Sequence, residues 1–141
     1  NGTENVLERT IGDSKDRDAL ETVEFQFGIF DQLPQDVQVE YLMEIAEQID
    51  EVAPFLQQLV GNWAKGDVAT LGDLLNEALE ADPVLADRLL YARNANWAVW
   101  IDERLDEPGT VFMAVGAGHL AGKKKLQDLL AERGIETVRI Q

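Results

Sequence analysis

The C-terminal part of the chain carries the pattern that most constrains the fold. The apolar run at residues 111–115 leads into a glycine-containing loop and then into a leucine-rich helical segment. Gly134 stops that helix, and a second apolar run follows at residues 135–140. Two strands joined by a crossover helix are normally parallel neighbours in one sheet. The sequence therefore predicts the α/β class, with a partly parallel sheet and a βαβ unit at its C-terminal end.

The middle of the chain predicts a helical insertion in this sheet. Residues 19–25 suggest a short strand ending near Glu21, followed by a helical turn. Pro34 begins a helix, Pro54 divides it in two, and a further helix ends near Asp82. The first two share one apolar stripe, formed by Leu42, Ile45, Ile49, Val52, Leu56, Leu59 and Trp63. With no repeat or low-complexity linker, residues 1–141 are expected to form a single domain.

Composition and charge exclude several classes of function. The net charge is −15, the sum of −17 in residues 1–121 and +2 in residues 122–141, and this acidic balance disfavours nucleic acid as a partner. The chain has no cysteine, so a disulfide frame, a thiolate nucleophile and a cysteine zinc site are absent. No apolar stretch approaches the roughly 20 residues that span a bilayer, so no membrane span is expected.

The only histidine, His119, directly follows the predicted strand and the glycines Gly116 and Gly118. Ligands of open α/β sheets collect at the carboxyl ends of strands, which makes His119 a candidate functional residue. The same stretch matches a loose G-x-G-x-x-A dinucleotide pattern, but Arg139 stands where that pattern expects an acidic residue. The alternative is that His119 only caps the helix or satisfies a backbone group.

Arg93 lies on an apolar helix face, because Leu85, Leu89, Arg93, Trp97 and Ile101 are spaced four apart. A guanidinium among apolar side chains needs a carboxylate or an anionic ligand, and Glu21 is a candidate partner. Asn94, the residue after Arg93, is a candidate to orient a neighbouring group through its side-chain amide. The alternative is that Arg93 lies at the edge of the stripe and extends to water.

Three segments resemble the TraB/GumN family, which is related to the Tiki proteases. They are ALETVEFQFGIFDQLP, YARNANWA and VFMAVGAGHLAGKKKLQDLLAERGIETVRI, and together they span nearly the whole chain. The family signature consists of two G-x-x-H motifs, a glutamate and an arginine. The resemblance identifies residues 116–119 with the second motif, the glutamate with Glu21 and the arginine with Arg93. The first motif is absent, so the chain is expected to be the C-terminal half of a longer domain.

The resemblance implies a divalent-metal-dependent, peptidase-like hydrolase of the bacterial periplasm or cell envelope, acting on a peptide or small-molecule substrate. His119 and Glu21 would then bind the metal, and Arg93 would hold Glu21 or the developing oxyanion. With one histidine available, manganese or cobalt is expected rather than zinc. Gly116, Gly118 and Asn94 are the expected binding residues. On this hypothesis the fragment is inactive without the missing N-terminal half.

Two other hypotheses remain open. The chain could be a non-catalytic module of the envelope that binds a ligand or a protein, in which case the loss of Glu21 should be tolerated. It could also be an inert half whose exposed sheet edge pairs with a second copy, giving a homodimer.

Overall fold

The computed structural model describes residues 3–80 and 82–140, and within these ranges the fold is helical with no β-strand. A 3₁₀ turn at Ile49–Glu51 separates α3 from α4, and another at Ala117–Leu120 contains the histidine. The helices are α1 (Thr3–Ile11), α2 (Val23–Asp31), α3 (Gln35–Glu47), α4 (Val52–Lys65), α5 (Val68–Glu80), α6 (Pro83–Ala86), α7 (Ala92–Leu105) and α8 (Leu126–Glu132).

The predicted α/β class, with its partly parallel sheet and C-terminal βαβ unit, is wrong. Residues 111–116 and 135–140 have no regular secondary structure, although α8 lies between them as expected. Met113 and Val115 pack against the core, whereas Phe112 is 76% exposed. Val138 is 77% exposed. An apolar run with alternating burial can therefore lie directly on helices without a neighbouring strand, and periodicity alone does not separate the two cases.

The short strand predicted to end near Glu21 is also wrong, because residues 16–22 form no strand. The helical turn predicted after it is confirmed as α2, which begins at Val23. Thr22 is the N-cap of α2, and its hydroxyl oxygen accepts a hydrogen bond from the Phe25 backbone N–H at 3.1 Å. A threonine in this position satisfies one of the donors that a helix start leaves free. The residues after Thr22 therefore form a capped helix and not part of a strand.

The predicted division of the long middle helix is confirmed. The break falls at the 3₁₀ turn just before α4, and Pro54 occupies the first turn of α4, where its missing N–H does no harm. Gly66 ends α4 in the left-handed conformation, with φ of 70°. The apolar stripe of these two helices is largely exposed in the described chain, with Leu42 at 66% and Trp63 at 69%.

A π-helical turn, Asp87–Tyr91, joins α6 to α7 without a break. Asp82 caps the start of this composite helix, since its Oδ1 accepts hydrogen bonds from the N–H groups of Val84 and Leu85. A π turn inserts an extra residue into the helix and so rotates the residues after it about the helix axis. Arg93 and Asn94 stand immediately after that insertion.

The core lies between α7 and α8, where Trp97, Ala98, Leu126 and Leu130 are buried together. Partly buried apolar side chains complete it, among them Leu20, which precedes α2, and Val115, which precedes the histidine loop. The packing therefore brings the start of α2, the middle of α7 and the loop at residues 116–122 into one region. Within the described residues no helix has both the length and the apolar character needed to cross a membrane.

Helix α5 approaches the histidine loop closely at Gly72. A Cβ atom at this position would lie 2.8 Å from Ala121 Cβ and 2.9 Å from the Gly122 backbone nitrogen. Gly122 itself has φ of 74°, and a Cβ there would overlap the side chain of Asn76. The two glycines thus allow a helix and a loop to pack at a distance that any larger residue would prevent.

We expect Gly72→Ala to destabilise the fold, although alanine is favoured over glycine in a helix by about 1 kcal/mol. The overlap with Ala121 and Gly122 should cost more than that gain, for a net loss of about 1 kcal/mol in the free energy of unfolding. Urea denaturation followed by circular dichroism measures it. Gly61→Ala in α4, where a Cβ would meet nothing within 4 Å, is the matched control and should be neutral or stabilising. A stabilised Gly72→Ala variant would contradict this description of the packing.

Candidate functional site

Glu21 and Arg93 form a buried ion pair across 72 residues of sequence. Arg93 Nε donates to Glu21 Oε1 and Arg93 Nη2 donates to Glu21 Oε2, each at 2.8 Å. The side chains are only 17% exposed for Arg93 and 7% for Glu21. Two parallel charge-assisted hydrogen bonds fix both the distance and the plane of the two groups. The pair therefore ties the segment before α2 to the middle of α7.

Two further donors complete the surroundings of the Glu21 carboxylate. Trp97 Nε1 donates to Oε1 at 3.0 Å, and Gln26 Nε2 donates to Oε2 at 3.3 Å. Burial by itself raises the pKa of Glu21, but the hydrogen bonds and positive charge of Arg93, helped by Gln26 and Trp97, outweigh it and lower the pKa below its usual value. Glu21 is therefore ionised at neutral pH, with both oxygens engaged.

The π turn and an aromatic ring hold the arginine in place. Arg93 Nη1 donates to the Leu89 carbonyl oxygen at 3.1 Å, one turn back in the composite helix. Its guanidinium carbon lies 5.1 Å from the ring centre of Trp97, a cation–π distance. All three guanidinium nitrogens thus have an acceptor, which explains how a charged side chain is stable at this apolar face.

Asn94 holds the histidine from the same helix. Asn94 Oδ1 lies 2.7 Å from His119 Nδ1, and both residues are buried. The Asn94 amide nitrogen donates to the Lys124 carbonyl at 3.0 Å and faces that of His119 at 3.5 Å. Because these carbonyls can only accept, the amide orientation is fixed, and its oxygen must accept a hydrogen bond from His119 Nδ1–H.

His119 is therefore a neutral imidazole with its proton on Nδ1 and a lone pair on Nε2. Burial, followed by the positive charge of Arg93, lowers the pKa of His119 from 6.5 to about 4, while Glu21 opposes the shift. The ring also packs on Trp97, with 4.3 Å between the ring centres. Trp97 thus touches all three partners, since it donates to Glu21, faces Arg93 and packs at an angle of 40° against the ring of His119.

The loop that carries His119 is held by side-chain amides from three helices. Asn76 of α5 donates to the Ala121 carbonyl at 2.9 Å and faces that of Gly118 at 3.4 Å. Gln127 of α8 donates to the Leu120 carbonyl at 3.2 Å, and Asn94 holds the loop from α7. Sequence reasoning did not find Asn76 or Gln127. The one available signal is Asn76 itself, a polar residue among the apolar positions Leu71, Leu74, Leu75 and Leu79.

The two loop glycines shape the backbone beside His119. Gly116 is the N-cap of the 3₁₀ turn, and its carbonyl accepts a hydrogen bond from the His119 N–H at 3.0 Å. A Cβ at Gly118 would lie 3.4 Å from Asn76 Oδ1, in van der Waals contact. The structure thus places both glycines around the histidine, and their role as binding residues stays a prediction.

The residues at this site fit a metal ion only in part. His119 offers Nε2, whereas both oxygens of Glu21 already accept from nitrogen donors. Among the described residues, no three histidine or carboxylate side chains are grouped as a metal site. Glu21 could become a ligand only by giving up part of its bond to Arg93. The prediction that Glu21 binds a metal is untested, and the arrangement favours Glu21 as the partner of Arg93.

An arginine–glutamate pair beside a neutral histidine on a glycine loop defines a buried polar centre in a helical protein. The family model of the TraB/PrgY/gumN family matches residues 3–139, so the chain belongs to that family. The resemblance noted in the sequence is thereby confirmed. Neither the curated proteins nor the solved structures gave a match to this chain.

We expect Arg93→Met to lower the free energy of unfolding by about 3 kcal/mol, because it leaves the Glu21 carboxylate buried without its cation. Replacing both partners, as Glu21→Leu with Arg93→Met, should recover a large part of that loss. Chemical denaturation of the two single variants and the double variant gives the coupling. Arg133→Met is the matched control, since Arg133 pairs with Asp102 at the same 2.8 Å but with side chains 37% and 45% exposed. That control should cost less than about 1 kcal/mol. Equal losses at the two sites would contradict a buried pair.

We expect the free energy of unfolding to decrease as the pH is lowered, because His119 becomes protonated. Its pKa is lower in the folded chain than the ordinary 6.5, so the neutral histidine contributes stability above pH 6.5 that is lost as pH falls toward 4. After allowance for solvent screening the loss is about 2 kcal/mol. Denaturation at pH 7, 6, 5 and 4 should show a steeper decline for the unmodified chain than for His119→Gln, which does not titrate there. Parallel curves would show that His119 titrates normally.

Proposed function

We propose that this chain carries part of the active site of a divalent-metal-dependent hydrolase, in which His119 is a nitrogen ligand of the metal. The supporting observation is the hydrogen bond from His119 Nδ1–H to Asn94 Oδ1. Since Nδ1 carries the proton, Nε2 keeps its lone pair and lies on the side of the ring away from Asn94. Histidine ligands of metals usually donate their other ring N–H to a protein oxygen, which fixes tautomer and orientation. Asn94 supplies that oxygen here.

The low pKa of His119 favours a ligand over a general base. A general base works best when its pKa lies near the working pH, and a pKa of about 4 is too low for that at pH 7. A metal ligand must be unprotonated, and at neutral pH this imidazole has no proton on Nε2 to lose. His119 is therefore available as an unprotonated nitrogen ligand at neutral pH, and Glu21 offsets the Arg93 charge that would repel a bound cation.

A bound divalent ion would polarise a substrate carbonyl and lower the pKa of a coordinated water. The chain's own residues would keep that chemistry in place. Asn94 holds the imidazole in one tautomer, and Trp97 packs on its face. Glu21 neutralises Arg93 and holds its guanidinium beside the histidine. On this proposal Glu21 acts through Arg93 and does not itself bind the ion.

Isothermal titration with Mn²⁺, Co²⁺ and Zn²⁺ tests this proposal. We expect His119→Ala to weaken the binding of the ion with the highest affinity at least about 10-fold. Losing a residue that only hydrogen-bonds to a metal ligand already lowers affinity by about that factor, and His119 is the proposed ligand itself. Glu21→Gln should change the affinity much less. With a net charge of −15, surface carboxylates will also attract divalent ions, so Asp102→Asn serves as the control for that background.

Equal affinity in His119→Ala and the unmodified chain would refute the metal role of His119. A loss in Glu21→Gln as large as that in His119→Ala would instead make Glu21 a ligand. Circular dichroism of each variant separates these outcomes from unfolding.

A second candidate function is a binding module without catalysis. The exposed apolar stripe of α3 and α4 favours it, because contiguous exposed apolar surface marks interaction sites. This candidate predicts that His119→Ala leaves ligand or partner binding intact, and it is the conclusion to draw if no titrated ion depends on His119.

A further inference from the structure

Side-chain amides of three helices contact the backbone of the loop at residues 116–122. The His119 N–H donates to the Gly116 carbonyl at the start of the 3₁₀ turn. The carbonyls of Gly118 and Ala121 face α5, that of His119 faces α7 and that of Leu120 faces α8. The position of His119 therefore depends on what those helices present to the loop.

Asn76 meets the loop from α5, whereas Asn94 meets it from α7. Its amide nitrogen donates to the carbonyl of Ala121 at 2.9 Å and lies 3.4 Å from that of Gly118, so it contacts the residues on both sides of the histidine. Asn76 is buried, and its own Oδ1 has no hydrogen-bond partner among the described residues. A buried amide on an apolar helix face with an unpaired oxygen needs an explanation. For Asn76 that explanation is the contact of its amide nitrogen with the loop carbonyls.

The packing of α5 is arranged around this contact. Gly72, one turn before Asn76, has no room for a Cβ against Ala121 and Gly122. Gly122 has no room for one against the Asn76 side chain itself. Two glycines, one on the helix and one in the loop, thus permit the approach that lets the amide reach the loop carbonyls.

We propose that Asn76 is a positioning residue for His119, holding the loop from α5 so that the imidazole stays against Asn94 of α7. Asn94 fixes the ring directly, and Asn76 fixes the backbone that carries the ring. Without Asn76 the carbonyls of Gly118 and Ala121 lose their donor, the loop moves toward solvent, and the bond from His119 Nδ1 to Asn94 Oδ1 weakens. The importance of His119 rests on the proposed function, but its positioning by Asn76 can be measured without it.

The single histidine makes the measurement direct. Long-range ¹H–¹⁵N correlation NMR shows which imidazole nitrogen carries the proton, and His119 is the only residue that gives these signals. In the unmodified chain the proton should be on Nδ1. In Asn76→Leu, which removes the amide at similar volume, we expect a mixture that includes the Nε2–H form. Where the ion titration detects binding, the affinity should fall about 10-fold.

Two controls separate positioning from loss of stability. Leu71→Ala removes a buried side chain of the same helix and should destabilise the fold while leaving the proton on Nδ1. Asn96→Leu changes an exposed asparagine of α7 and should change neither property. If Asn76→Leu does not fold, Gly72→Ala takes its place, because its Cβ pushes the loop from α5 while Asn76 is retained.

A folded Asn76→Leu with His119 still fully in the Nδ1–H form would overturn the proposal, and so would the same result in Gly72→Ala when that variant is needed. An equal tautomer change in Leu71→Ala would also overturn it, since general loosening would then suffice. If no metal binds to the unmodified chain, the proposed function fails, but the tautomer comparison still decides the role of Asn76.

Discussion

The buried bond between Glu21 and Arg93 is the interaction on which the arrangement of the site depends. It joins a segment before α2 to the middle of α7 and places a charged pair next to the core formed by α7 and α8. Removing either partner would leave an uncompensated charge, so each side chain holds the other in place. Trp97 extends that constraint to His119, because its Nε1 donates to Glu21 and its ring packs against the imidazole.

The site combines two opposite electrostatic effects on neighbouring groups. Arg93 stabilises the charged form of Glu21, and together with burial it stabilises the neutral form of His119. The result at neutral pH is an anion whose oxygens are all engaged and a histidine nitrogen that is free of a proton. In the proposed function the carboxylate positions the arginine and the histidine is the metal ligand, so the two residues have different roles.

The sequence pointed to the individual residues of the site more readily than to the fold. Arg93 was recognisable because a cation interrupts an apolar helix face, and His119 because it is the only histidine and follows glycines. The helices around them could be predicted in part from periodicity and helix-breaking residues, since one helix was expected to end near Asp82 and α5 ends at Glu80. The prediction of a sheet was wrong, because the apolar runs near Met113 and Ile135 lie against helices. Periodicity does not reveal what an apolar run packs against. Asn76 could not be predicted, since its role depends on a contact 42 residues away in sequence.

Burial and the positive charge of Arg93 keep His119 uncharged at neutral pH, and Asn94 keeps the remaining ring proton on Nδ1. An NMR titration of the unmodified chain from pH 8 to pH 4, following the imidazole nitrogens of its single histidine, tests this most directly. We expect one Nδ1–H form down to about pH 5, with protonation of Nε2 near pH 4. Protonation centred near the ordinary value of 6.5, or a proton on Nε2 at neutral pH, would contradict it.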